Sequence, residues 1–174
     1  MTRTAQEGFT LLELTWVLFI LAILLSVVMP HFSAFLFQMG LEKKAREIFT
    51  ALTYTQQQAL NQNCSFGLFF DLTEGSQEVT CYLQKGYDAQ GAPVVDPNNV
   101  LLNPLLKKPY ITRMNQEGLT SDSRITEADF GGNPWVEFNS MGEPNHEGRI
   151  TLAGADSSYT ITVSRIGRVA FTGD

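Results

Sequence analysis

Apolar and polar positions divide the chain into three regimes. From Phe9 to Met29 the side chains are apolar almost without interruption, 21 residues with one charge, Glu13. A helix of that length measures about 30 Å, the hydrocarbon thickness of a bilayer. After Pro30, apolar residues recur at Leu41, Ala45, Ile48, Leu52 and Ala59, a spacing that marks one face of a helix. Glu42, Lys43, Arg46, Glu47 and Gln57 occupy the other face, and the pattern stops at Asn61-Gln62-Asn63. The pattern predicts one long helix over 9–61, kinked at Pro30 and loosened at Gly40.

Beyond Ser65 the period falls to two. FGLFFDL and EVTCYLQ predict strands over 66–72 and 77–84 around the turn Thr73-Glu74-Gly75-Ser76. Residues 85–108, rich in Gly, Pro and Asn, read as a long surface excursion. PYITRM, SRIT, PWVEFNS, GRITLAG, SYTITVS and GRVAFTG then read as short strands. The turns between them fall at Gly131-Gly132-Asn133, Gly142-Glu143-Pro144-Asn145 and Gly154-Ala155-Asp156-Ser157. In SYTITVS, Tyr159, Ile161 and Val163 share one face.

The start of the chain admits three readings. A cleaved secretory signal needs a shorter apolar region and a small-x-small site, but SVVMP offers large residues there. A plain signal anchor fits the length and leaves Glu13 unexplained. The third reading accounts for both the leader MTRTAQEG and the charge. GFTLLELTWVLFILAILLSVVMP, with Gly8, Phe9, Thr10, Leu11, Leu12, Glu13 and Pro30, closely resembles the N-terminal segment of type IV prepilins and type II secretion pseudopilins. The resemblance implies cleavage by prepilin peptidase after Gly8 and N-methylation of the new terminus on Phe9. The chemistry agrees with it. After the cut, the Phe9 ammonium and the Glu13 carboxylate stand at i and i+4, where helical side chains are neighbours. An unpaired carboxylate near the apolar region costs about 2.5–3.5 kcal/mol, so pairing within or between chains removes the penalty and sets axial register in a filament. The subunit thought to cap the tip of the type II family's pseudopilus typically lacks this glutamate, so the resemblance points away from that position.

A long N-terminal helix followed by an antiparallel β domain is the pilin plan. The fold class expected is therefore α+β and pilin-like, with a transmembrane half-helix and an amphipathic half-helix packed on an antiparallel β-sheet domain. Its divisions are a leader at 1–8, a helix at 9–61 with a membrane-spanning part at 9–29, and a β-rich domain at 62–174. The second half is similar to the GspH/FimT minor subunits: AREIFTALTYTQQQALNQN at the helix end, Phe138 to Pro144, Gly148 to Ile150, and a terminal hairpin with Ile161, Val163, Ser164, Gly167, Arg168 and Val169. The resemblance implies a minor pilin or pseudopilin assembled into a secretion pseudopilus or type IV pilus. It would sit single-pass in a bacterial inner membrane with its β domain on the periplasmic side. The implied partners are other pilin or pseudopilin subunits, prepilin peptidase, the inner membrane and secreted cargo.

Composition narrows the chemistry. With 12 basic and 18 acidic residues the net charge is −6, unlike a general nucleic-acid binder. Some FimT-type pilins that bind DNA carry Gly-Arg-x-Arg near the C-terminus. Here Ala170 replaces the second arginine, leaving Arg165, Arg168 and Arg149 as a weak patch at most, so DNA is a disfavoured partner. A DNA-binding minor pilin and a membrane-anchored periplasmic enzyme are the rival classes. No nucleophile–base set, phosphate loop or metal-ligand spacing occurs, and His31 and His146 are far apart, so neither enzyme chemistry, metal nor cofactor is expected. Asp96-Pro-Asn-Asn reads as a turn rather than a calcium loop. Hairpin pairing of 66–72 with 77–84 brings the neighbourhoods of Cys64 and Cys81 together, within disulfide reach. A bridge over their 16-residue loop is worth about 3 kcal/mol in the chain-entropy model. It forms only if the two side chains share a face; otherwise both remain free thiols.

Overall fold

The computed structural model describes residues 10–73, 77–114, 123–154 and 157–173, with the side chains of 28 and 30–34 left out of the description. One helix, α1, runs Leu11–Gln62 and passes through both Pro30 and Gly40. It ends where Asn63 turns to φ 53°, the left-handed conformation that commonly closes a helix. The backbone stays helical through Pro30, where a kink was expected, and the leader over 1–8 falls outside the described residues. The chain divides into two compact units, residues 1–36 and 37–174.

In the second unit eight strands follow the helix. They are β1 (Phe66–Asp71), β2 (Glu78–Leu83), β3 (Ile111–Arg113), β4 (Arg124–Asp129), β5 (Trp135–Phe138), β6 (Gly148–Ala153), β7 (Ser158–Val163) and β8 (Val169–Gly173). Each strand read from the alternation is present. They do not form one sheet, however, but two four-stranded antiparallel sheets, in the orders β3-β2-β1-β5 and β4-β6-β7-β8.

Both sheets close on the apolar stripe of the helix. Leu41, Ala45, Ile48, Ala51, Leu52 and Ala59 are buried with Phe66, Leu68, Phe70, Val79 and Val136 of the first sheet and Ile125, Ile150, Leu152, Ile161 and Val163 of the second. Phe70 stacks on Phe130 at 5.8 Å. The excursion over 85–108 is tied back to β2, where Leu83 and Leu101 donate to Asn99 O and Cys81 O.

The register corrects the expected disulfide. Cys81 faces Leu68, and Phe66 faces Leu83, so Cys64 lies beyond the far end of the ladder from Cys81. Both cysteines are free, Cys64 exposed and Cys81 buried. Cys81 points into the core with Leu68, and Cys64 sits on the surface past the helix end, so their sulfurs cannot meet.

Candidate assembly site

The first unit begins with a reciprocal cap. Glu13 Oε2 accepts the Thr10 backbone N–H at 3.0 Å and the Thr10 hydroxyl at 3.2 Å, while the Glu13 N–H donates to Thr10 Oγ1 at 3.2 Å. This is a capping box, in which two otherwise unpaired donors of the first turn are satisfied. The Thr-x-x-Glu signal was present in the sequence, but there Glu13 was assigned only to the amino terminus at Phe9, which lies outside the described residues with Gly8. Among the described residues, both hydrogen bonds of the Glu13 carboxylate fall on Oε2.

Every described side chain from Leu11 to Val27 is exposed. The few polar ones are satisfied within the helix: the Thr15 hydroxyl donates to Leu12 O and the Ser26 hydroxyl to Ile23 O. Trp16 and Phe19 meet edge to face at 6.1 Å. A helix apolar on all sides requires an apolar environment around it. Among the described residues, no helix is long and apolar enough to cross a membrane; the expected span over 9–29 includes Phe9 and the Val28 side chain, which are not described.

In the second unit the helix fixes the turns of the β domain. The Gln56 side-chain amide donates to Gly142 O at 2.7 Å and to Gly167 O at 2.8 Å. Both glycines have φ 77°, and a side chain on Gly167 would collide with Gly142 O. One carboxamide therefore holds the β5–β6 and β7–β8 turns together. Ser164 closes the second turn, taking the Arg168 N–H on its hydroxyl at 3.1 Å. Sequence reading had found both turns and had left Gln56 unassigned, because nothing local to TYTQQQAL distinguishes it from its neighbours.

A second polar cluster was also missed. Glu137, buried in β5, accepts the Tyr82 hydroxyl at 2.8 Å on Oε1 and the Tyr87 hydroxyl at 2.6 Å on Oε2. Gly67 lies between Tyr82 and Glu137 on the central strand, and a Cβ there would meet the Tyr82 ring at 2.6 Å. Burial, reinforced by the Glu137 charge, pushes the Tyr82 phenol well above its ordinary value. Tyr87 thereby straps the excursion to the sheet. Two sequence signals pointed here: a lone acid inside WVEF, and a glycine inside a strand, which often marks a close approach.

The remaining candidates stay apart from any reactive arrangement. Burial pushes the Cys81 thiol up to about 12, which makes it inert. Arg149 pairs with Glu127 at 3.6 Å rather than joining Arg165 and Arg168, which are exposed around the β7–β8 turn. Asp96 takes the Asn98 N–H at 2.6 Å and closes a turn, as expected. His146 is exposed against Gly131. Among the described residues no group of acidic, histidine or cysteine side chains is placed to hold a metal ion.

Comparison with known proteins points one way. The family model described as type II transport protein GspH matches residues 44–167. No curated protein matches the chain. Two structures of the minor pseudopilin EpsH from the type II secretion system of Vibrio cholerae share its fold. One has a TM-score of 0.53 at 13% identity, covering 76% of this chain and 92% of that one. The other has a TM-score of 0.52 at 13% identity, covering 75% and 94%. The type IV minor pilin FimU of Pseudomonas aeruginosa aligns with a TM-score of 0.49 at 13% identity, over 78% of this chain and 90% of that one.

Proposed function

The chain belongs to the GspH family of type II transport proteins, and on that premise we propose that it is a minor pilin-type subunit of a secretion pseudopilus or, as the next choice, a type IV pilus. Its work is assembly rather than catalysis. The chain is made as an inner-membrane prepilin, cut between Gly8 and Phe9, methylated on Phe9, and drawn into a filament through residues 9–29. Pro30 is where that helix can bend, and the β domain faces the periplasm, where it meets neighbouring subunits or cargo.

The observation that carries this reading is the helix itself. Its residues 11–27 expose apolar side chains in every direction, while residues 41–59 bury one stripe in their own domain. A surface of the first kind is stable only in lipid or against other helices. Glu13 supports it too, because its carboxylate can meet a neighbouring subunit's ammonium, which would fix the axial step between subunits. Mass spectrometry of protein taken from membranes tests the processing. A first residue of Phe9 with one added methyl group is expected; an intact Met1, or a cut near Pro30, would reject it.

A further inference from the structure

The excursion ends in a finger at the edge of the first sheet. Leu101 N–H donates to Cys81 O, and Cys81 N–H to Tyr110 O, so the chain leaves β2 after Leu101 and returns at Tyr110. Both legs are anchored. Leu101 and Tyr110 are buried, Tyr110 stacks on Tyr54 at 5.6 Å, and the Tyr54 hydroxyl donates to Leu102 O at 3.3 Å. Leu102 and Pro109 bridge the base.

The finger is held in one shape. Asn103 Oδ1 accepts the N–H groups of Leu105 at 2.9 Å and Leu106 at 3.1 Å. Asn103 O accepts the Lys107 N–H at 2.9 Å, and the Asn103 N–H donates to Lys108 O at 2.8 Å. Lys107 takes φ 55°, a left-handed conformation uncommon outside glycine. What this network displays is apolar: Leu102 is 54% exposed, Leu105 88% and Leu106 69%. A single exposed leucine needs no explanation, but three of them on one fixed turn form a patch. Lys107 and Lys108 follow directly. Lys44, Arg46, Arg113 and Arg149 each pair with a carboxylate. Among the described residues Lys107 and Lys108 have no such partner, and the sequence holds no acidic residue between Asp96 and Glu117. In a chain of net charge −6 the tip is locally cationic.

We propose that the finger docks in an apolar pocket rimmed by carboxylates on a different polypeptide, the leucines filling the pocket and the two ammonium groups meeting its rim. Protein interfaces are built with an apolar centre and a polar rim. A finger already held in shape loses little freedom on binding. An anionic lipid surface would attract the same lysines, by about 1 kcal/mol each, but gains nothing from a fixed turn. A second copy does not supply the rim. Among the described residues, the carboxylates of the domain other than Glu147 already accept hydrogen bonds or pair with cations within the chain. The docking rests on the finger alone and does not depend on the filament reading.

A photo-cross-linking side chain placed at Leu105 of the full chain, in its native membranes, tests it. Irradiation should join the chain to a different polypeptide through a segment containing Asp or Glu, located by mass spectrometry. Reversing both lysines, Lys107→Glu with Lys108→Glu, should lower the yield about tenfold, because like charges at a rim repel. Exchanging the located acid for lysine should restore it. Both lysines are exposed, so the reversal should leave the thermal midpoint of the domain in place. No protein cross-link, a cross-link only to lipid or to a second copy, or a yield indifferent to the reversal each overturns the docking.

Discussion

At the scale of single residues, Glu13 caps the helix through Oε2, and on the proposed reading its negative charge has a second, separable duty toward an ammonium. Glutamine keeps an acceptor oxygen for the cap and loses the charge; alanine loses both. A capping box is worth about 1 kcal/mol, too little to decide membrane insertion. We therefore expect Glu13→Gln and Glu13→Ala to insert and be processed normally, and both to be absent from assembled filaments. Quantifying each variant in sheared filaments against the membrane fraction separates the duties. Glutamine incorporated at the normal level would show that the cap, not the charge, is what assembly uses. The Cys64–Cys81 pairing failed at this same scale. The strands were placed correctly, yet a four-residue offset in the hairpin and the inward direction of Cys81 depend on which face is buried. That choice follows from the helix packing on Leu68 and Phe70, and no local signal carries it.

At the scale of elements the alternation was highly legible. Tyr159, Ile161 and Val163 are buried together, and the helical stripe from Leu41 to Ala59 is the one the spacing marked. What periodicity could not convey is how strands from distant parts of the chain divide into two sheets, because pairing order is set by non-local contacts such as Phe70 on Phe130. The row Tyr82–Gly67–Glu137 crosses three strands and ties the excursion down. Replacing Tyr82 by Phe leaves Glu137 Oε1 without its donor in a buried setting, a loss of about 1.5–3 kcal/mol for a hydrogen bond to a charged group. Gly67→Ala drives a methyl group into the Tyr82 ring and should cost about 1–3 kcal/mol by overpacking, as well as displacing the phenol. Denaturant unfolding of the two variants and the double variant checks this. Because both act on one contact, the double variant should lose less than the sum of the singles. Simple additivity would mean that Gly67 and Tyr82 act independently.

At the scale of the molecule, the chain is two units with opposite solvent demands. All members of the buried core, from Leu41 to Val163, belong to residues 37–174, as do both sheets. The Gln56 anchor and the Glu137 cluster lie there as well. Residues 11–27 contribute none of that core and expose only a surface suited to an apolar environment. Stability of the domain should therefore be independent of its first unit. A chain beginning at Phe37 is expected to be soluble without detergent, to unfold in one cooperative thermal transition, and to keep the midpoint that the domain shows within the full chain in detergent. Circular dichroism on both forms measures this. The full chain without detergent should instead associate through residues 11–27, whose described side chains are all exposed and mostly apolar. A fragment that lacks a cooperative transition, or melts far below the full chain, would mean that the first unit completes the fold of the second, and assembly and folding would then be one event rather than two.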